Sequence, residues 1–171
     1  MTKGTIYRVI LCLVLCLSSC DKNDLDHQNE YDLSLQTWLD LKALNQNTYE
    51  YTVTYSSWVG FSWETTITVQ NGIIVKREFE YVQLPADFPD TVLQWTKSEN
   101  EIGTYENGAA PLTLDQVYEI AAQEWLINRK NAKTYLETNH NGLISSCGYV
   151  ENGCSDDCFV GIHIKSIFFW E

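Results

Sequence analysis

Residues 62–75 read Ser-Trp-Glu-Thr-Thr-Ile-Thr-Val-Gln-Asn-Gly-Ile-Ile-Val and carry the clearest structural signal in the chain. Trp63, Ile67 and Val69 occupy odd-numbered positions with polar residues between them, which is the period of a β-strand with one covered face. Asn71-Gly72 follows, and this dipeptide favours a two-residue hairpin turn because both of its positions adopt positive φ readily. The segment therefore predicts an antiparallel hairpin whose second strand begins at Ile73.

The same alternation extends to both sides of this hairpin. Upstream, the segment Tyr49-Glu-Tyr-Thr-Val-Thr-Tyr55 places three tyrosines and a valine on one face. Downstream, Ile73–Tyr81 continues the covered face and is interrupted by Arg77. These patterns predict three antiparallel strands with one aromatic-rich covered face and one polar face in water.

Helical periodicity marks two further elements. An apolar stripe within Leu35–Leu44 predicts a short helix, and Thr113-Leu-Asp-Gln116 predicts the start of a second helix with a capping box. Leu84–Pro111 is predicted to be loop, apart from a short helix or strand near Val92–Trp95. Three more strands are predicted at Lys133–Thr138, Leu143–Val150 and Phe159–Trp170. The predicted fold class is α+β: an antiparallel β-sheet with two main helices packed on one face.

The composition indicates one globular domain. The chain has 171 residues, of which 44% are hydrophobic and 20% are charged, and this is unlike a disordered chain. Its 11 Lys and Arg against 23 Asp and Glu give a net charge of −12, and no basic cluster offsets it. A nucleic-acid partner is therefore not expected, because the phosphate backbone would be repelled.

Residues 1–20 have the pattern of an export signal. Lys3 and Arg8 precede the apolar run Val9–Leu17, which is too short to span a bilayer. Leu17-Ser-Ser-Cys20 resembles the lipobox of bacterial lipoproteins, and the resemblance implies that Cys20 is acylated and becomes the first residue after cleavage. The alternatives are an ordinary secretory signal cleaved nearby and a buried N-terminal helix.

The lipobox divides the chain into a signal peptide at 1–19, an acidic tether at 20–31 and a single α+β domain at 32–171. Cleavage removes Lys3 and Arg8, which changes the net charge from −12 to −14. The expected location is the cell envelope, where the lipid holds the protein to a membrane, with the outer membrane favoured. The acidic residues after Cys20 resemble signals for inner-membrane retention and for surface export, so both periplasmic and surface orientations stay open.

The order of elements resembles that of a group of small bacterial envelope lipoproteins known only as a domain of unknown function. The resemblance covers about residues 35–167 and rests on five segments: 49–55, 66–75, 113–120, 134–144 and the acidic Ser155-Asp-Asp157. The chain has Ser56-Ser57-Trp58 where those proteins often carry a Cys pair, and Asn141-Gly142-Leu143 where they often carry Gly-Tyr-Pro. The resemblance implies an envelope location and a fold, and it implies no reaction.

Three cysteines, Cys147, Cys154 and Cys158, lie close together near the C-terminus. An oxidising compartment favours a disulfide, and an odd number leaves one thiol over. If Asn152-Gly153 is a two-residue hairpin turn, Cys147 faces Cys158 at a Cα separation that suits a disulfide. We therefore predict a Cys147–Cys158 disulfide with Cys154 free. A bond from Cys154 to either of the others, or three free thiols, are the alternatives.

Other chemistry finds little support in the sequence. Cys147, Cys154, Cys158 and His163 form a weak alternative as a zinc site, because their spacing lacks a paired C-x₂-C knuckle. No cofactor, no metal and no catalytic residue is predicted, and no G-x-S-x-G, H-E-x-x-H or P-loop pattern is present. A hydrolase with a scattered acidic or metal-assisted site stays the alternative function, since its carboxylates need not be close in sequence.

Aromatic residues are the remaining unusual feature, at 13% of the chain. Trp58, Phe61 and Trp63 cluster between the first two predicted strands. Such a cluster serves either core or loop packing, or a binding edge for a peptide, a glycan or a partner lipoprotein. We therefore predict a non-enzymatic binding or interaction module, held to the membrane through the lipidated N-terminus, with an envelope protein or a glycan as its partner.

Overall fold

The computed structural model of the chain describes residues 25–89, 91–104 and 107–170. The predicted signal peptide and the predicted lipidation site at Cys20 lie outside the described residues. Within them, no helix is both long enough and apolar enough to cross a membrane.

One antiparallel sheet of seven strands dominates the fold. The strands are β1 Tyr49–Ser56, β2 Ser62–Gln70, β3 Ile73–Gln83, β4 Gln94–Ser98, β5 Ala132–Thr138, β6 Ile144–Glu151 and β7 Val160–Phe168. Their order in the sheet is β4-β3-β2-β1-β7-β6-β5, with every neighbouring pair antiparallel. The predicted hairpin is confirmed, because Gln70 pairs with Ile73 and both Asn71 and Gly72 have positive φ. The α+β class holds in a sheet-rich form.

Two α-helices of the described ranges accompany the sheet: α1 spans Gln28–Leu44 and α2 spans Leu114–Ile120. The predicted capping box is confirmed, since the backbone N–H of Thr113 donates to Gln116 Oε1 at 2.8 Å and the backbone N–H of Gln116 donates to Thr113 Oγ1 at 3.3 Å. A π-helical turn, Ala121–Trp125, continues α2, and a 3₁₀ turn, Glu99–Glu101, follows β4.

Helix α1 begins before the segment in which the sequence predicted it. Tyr31, on its first turns, is 6% exposed. Just before the helix, the Asp26 carboxylate accepts a hydrogen bond from Thr134 Oγ1 at 2.8 Å. The folded part of the chain therefore includes residues 25–31, which the sequence assigned to the tether. Composition alone missed this because only two residues of this polar segment, Leu25 and Tyr31, pack against the core.

Both helices contact the sheet at Tyr49, a fully buried side chain. The ring of Trp38 in α1 meets the Tyr49 ring edge-on, with centroids 5.0 Å apart, and the Tyr49 hydroxyl accepts a hydrogen bond from the Leu114 N–H at 2.8 Å. Asp115 also joins the two helices, because it accepts from Trp38 Nε1 at 2.9 Å and pairs with Lys42 Nζ at 2.7 Å. These contacts fix α1 and α2 relative to each other and to the sheet.

A buried arginine fixes the long connection between β4 and α2. Arg77 lies on the covered face of β3 with 2% of its surface exposed. Its Nη1 donates to the carbonyl of Ile102 at 3.2 Å and its Nη2 donates to the carbonyl of Asn107 at 2.9 Å. The arginine that seemed to interrupt an apolar strand therefore binds backbone carbonyls, which is how a buried cation is stabilised.

Candidate functional site

The sheet splits at one end. Pairing of β1 with β7 ends at Val53–Ile164, next to a β-bulge, although β1 continues to Ser56 and β7 already begins at Val160. The unpaired parts of the two strands therefore diverge and leave a cleft between them. We term this the cleft end of the sheet: β1, β3 and β6 end there, and β2, β4, β5 and β7 begin there.

A cavity of about 500 Å³ occupies the cleft. The segment Ala109–Leu112 covers it, held by a hydrogen bond from the Ala109 N–H to Thr65 Oγ1 at 3.0 Å and one from the Tyr51 hydroxyl to the Leu112 carbonyl at 2.6 Å. The wall is mainly apolar, and its larger apolar members are Tyr55, Trp63, Leu112, Trp125, Phe159 and Ile162. A cavity of this size suits a small molecule or a few residues of a peptide.

Two carboxylates, Asp156 and Asp157, line the same cleft. Asp157 accepts hydrogen bonds from the Ser57 hydroxyl at 2.5 Å and from the Trp58 N–H at 3.4 Å, so it ties the connection after β6 to the connection after β1. Burial, together with the charge of Asp157, raises the pKa of Tyr55 in the cleft wall. The site therefore combines an apolar interior with exposed negative charge.

The disulfide beside the cleft differs from the predicted one. Cys154 and Cys158 form the bond, with Cα atoms 6.1 Å apart, and Cys147 is a buried free thiol. The prediction of a Cys147–Cys158 bond with Cys154 free is therefore wrong. It assumed a two-residue turn, whereas residues 152–159 connect β6 to β7 and the register places Cys147 opposite Ile162.

Burial also determines the chemistry of Cys147. Desolvation raises the pKa of this thiol to about 12, because the thiolate would lose its hydration inside the core. Nucleophilic and metal-binding cysteines act as thiolates, so Cys147 is an inert core residue in the folded protein.

The weak zinc alternative is not supported by the structure. Two of its ligands, Cys154 and Cys158, are bonded to each other. The fourth, His163, shares a hydrogen bond at 3.0 Å with the hydroxyl of Ser146. Across the described ranges, no three His, Cys, Asp or Glu side chains form a group that could hold a metal ion.

Ser146 and His163 have the side chains of a serine nucleophile and its general base, because a hydroxyl and an imidazole are within hydrogen-bond distance. The two residues face each other in the β6–β7 ladder, and the Phe159 ring stacks on the imidazole with centroids 4.3 Å apart. Burial lowers the pKa of His163, and the charge of Glu137 opposes this shift. Ser146 lies within a strand and is 9% exposed, unlike a nucleophile presented on a sharp turn. This pair does not support the hydrolase alternative.

The structure places the three residues of the predicted aromatic binding edge, Trp58, Phe61 and Trp63, in different surroundings. Trp58 is 71% exposed on the connection after β1. Phe61 and Trp63 are partly buried and pack on Tyr55, with centroid distances of 5.9 and 5.5 Å. Trp63 also lines the cleft. Packing therefore accounts for Phe61 and part of the role of Trp63, while Trp58 presents its ring to solvent.

Sequence reasoning missed most of the cleft wall. Neither Trp125 nor the predicted loop 84–111 was expected at a site, yet Trp125, Ala109 and Ala110 line the cavity. The missing information was the pairing of β1 with β7, which no local pattern reveals. Asp156 and Asp157 were noted in the sequence only as part of the acidic segment Ser155-Asp-Asp157.

No protein-family model matches the chain, and neither does any curated protein or solved structure. We therefore infer the function of the domain from the geometry of the cleft.

Proposed function

We propose that the chain is a lipid-anchored protein of a bacterial cell envelope, related to the small lipoproteins that it resembles, and that its domain is a non-enzymatic binding module. Support for the anchor comes from the sequence: Lys3 and Arg8, the apolar run Val9–Leu17 and the lipobox-like Leu17-Ser-Ser-Cys20. Support for the module comes from the α+β domain, whose helices α1 and α2 both contact the covered face of the sheet at Tyr49.

The cleft is the observation that carries the binding proposal. Its interior is formed by aromatic and aliphatic side chains, and Asp156 and Asp157 stand among the residues that line it. The whole chain carries a net charge of −12, so a cation is attracted to this surface at long range as well. The ligand that fits these features has an apolar or aromatic group with a positive charge beside it.

The expected contribution of the charge is modest. Asp156 and Asp157 are exposed, and an exposed ion pair contributes about 0.5–1 kcal/mol. This corresponds to about a two- to fivefold gain in affinity. The apolar interior must supply most of the remaining binding free energy, through the surface that a ligand removes from water.

Three indole compounds test this proposal, because they share one ring and differ in charge. Tryptamine is a cation, indole is neutral and indole-3-acetate is an anion. We expect affinity, followed by calorimetry or by chemical-shift changes, to fall in that order. Asp156→Asn should reduce the advantage of tryptamine over indole, and Ala110→Trp, which fills the cleft from an exposed lining position, should weaken both.

Trp170→Phe is the matched control, since this exposed ring follows β7 at the other end of the sheet. It should leave all three affinities unchanged. The proposal fails if none of the compounds binds, or if Ala110→Trp binds them as well as the unmodified protein does.

A further inference from the structure

The chain enters the folded domain at the cleft end. Leu25 forms a β-bridge with Ile127, shortly before β5. Ala132, the first residue of β5, pairs with Glu151, the last residue of β6. Helix α1 then leads away from this end, because β1 starts at the opposite end of the sheet shortly after the helix finishes. The entry point and the cleft therefore lie at the same end of the domain.

A lipid on Cys20 would keep this end close to the membrane. Leu25 lies five positions after Cys20, and a fully extended chain covers at most about 3.5 Å per position. Leu25 therefore lies within about 18 Å of an acylated Cys20, whatever path the intervening chain takes. The opposite end of the sheet lies further away by the length of a strand, which is about 30 Å for the nine residues of β7.

Exposed apolar side chains lie at both ends of the sheet: Leu44, Ile73, Phe168 and Trp170 at the far end, and six at the cleft end. Trp58 and Val59 occupy the connection after β1, Val82 is near the end of β3, and the others precede β4 or begin β7. Their exposed fractions are 71% for Trp58, 50% for Val59, 57% for Val82, 49% for Val92, 56% for Leu93 and 41% for Val160. Two separate contacts hold parts of this set: the Asp157 carboxylate accepts from the Ser57 hydroxyl and the Trp58 N–H, and the Tyr81 N–H donates to the Leu93 carbonyl at 2.9 Å.

We infer that the cleft end rests against the bilayer that holds the lipid anchor, with Trp58 and Val59 in the headgroup layer. The inference depends on the acylation of Cys20 in the proposed function. A tryptophan suits this position because its ring is apolar and its N–H can still bond to water or headgroups. A lipid bilayer is the partner that fits these exposed apolar side chains, because an acylated Cys20 holds the membrane within about 18 Å of Leu25.

Charge limits the kind of surface that fits. Four exposed carboxylates, Asp87, Glu151, Asp156 and Asp157, lie at or near the same end and outnumber the two exposed lysines there, Lys130 and Lys133. An anionic bilayer would repel these carboxylates, and neutral headgroups would not. The surface that fits is therefore zwitterionic, and its contact with Trp58 weakens as anionic lipid is added.

The test uses the full lipidated protein in vesicles of phosphatidylethanolamine and phosphatidylcholine, part of the latter brominated near the headgroup. Bromine quenches tryptophan fluorescence at short range. We expect quenching that is largely lost in Trp58→Phe and retained in Trp170→Phe, whose ring lies at the far end of the sheet. Replacing part of the zwitterionic lipid by phosphatidylglycerol should reduce the quenching, and equal melting temperatures should show that both variants fold.

Two further measurements separate the possible failures. Intact-mass analysis shows whether Cys20 is acylated, and vesicle flotation shows whether the protein is anchored. An acylated, floating protein whose quenching does not depend on Trp58 overturns the inference and leaves the proposed function standing. A protein that is not acylated overturns the anchor proposal itself, and the inference with it. Stronger quenching on phosphatidylglycerol would contradict the charge argument.

Discussion

Opening the Cys154–Cys158 disulfide tests both the thiol pairing and the cleft wall. The bond lies in the connection 152–159, which also carries Asp157 and its hydrogen bonds to Ser57 and Trp58. Two perturbations open it: a mild reductant, or the double variant Cys154→Ser with Cys158→Ser. Both leave the strands and the buried Cys147 in place, so the effect reports the connection itself.

The magnitude follows from the size of the closed loop. The two cysteines are four residues apart, and the chain-entropy relation gives about 2 kcal/mol for cross-linking a loop of that length. We therefore expect reduction to lower the free energy of unfolding by about 2 kcal/mol, measured by urea denaturation with tryptophan fluorescence. Trp58 contacts Asp157 through its backbone, so its emission should change before global unfolding.

Alkylation identifies the thiols independently. In the oxidised protein without residues 1–20, iodoacetamide should modify no cysteine under native conditions and Cys147 alone after unfolding. The pKa of Cys147, about 12, and its burial protect it in the folded state. Cys147→Ala is the control, and reductant should lower its stability by the same amount as that of the unmodified protein. Modification of Cys154 in the oxidised, unfolded protein would refute this pairing, as would a reductant effect near zero.

The other two predictions concern backbone strain and alkaline pH. Gly108→Ala should lower the stability of the fold more than Gly153→Ala does. Both glycines have φ near +84°, so an alanine is strained at either position. A Cβ at Gly108 would also approach Thr65 Oγ1 to 2.5 Å, whereas a Cβ at Gly153 would meet nothing within 4 Å. Backbone strain alone costs about 1–2 kcal/mol. Urea denaturation should therefore show a free energy of unfolding lower by that amount for Gly153→Ala and lower still for Gly108→Ala. Equal losses in the two variants would contradict the predicted clash at Gly108. Burial raises the pKa of Tyr31 from 10.0 to about 12 and raises that of Tyr51 further. The stability that these two phenols contribute while they are neutral is therefore complete below pH 10. It is lost as the pH rises towards 12, because the unfolded chain then releases the phenol protons more readily. Unfolding free energies that stay constant from pH 9 to about 12 would refute this assignment.

Local signals predicted local structure well. The alternation in 62–70 and the Asn71-Gly72 turn produced the β2–β3 hairpin, and Thr113 with Gln116 produced the capping box. In each of these cases the deciding contacts join residues a few positions apart, so the sequence contains the whole interaction.

The cleft and the disulfide depend on information that is not local. Cys147 was expected opposite Cys158 because a two-residue turn was assumed, and the true register follows from a longer connection. Arg77 broke an apolar pattern because its partners, the carbonyls of Ile102 and Asn107, belong to a distant loop. The cavity exists because β1 and β7 pair over only part of their length, and strand order cannot be obtained from the periodicity of either strand.

The meeting of β1 with β7 also determines when the domain can fold during synthesis. Tyr51 pairs with Ile167, so the central strand of the sheet obtains one of its two neighbours only when synthesis has passed residue 167. Pairings between residues so far apart in sequence form slowly, because a long loop must close first. A nascent chain therefore stays incompletely folded until β7 is available. If the chain is exported as we propose, this delay keeps it extended while it is threaded across a membrane.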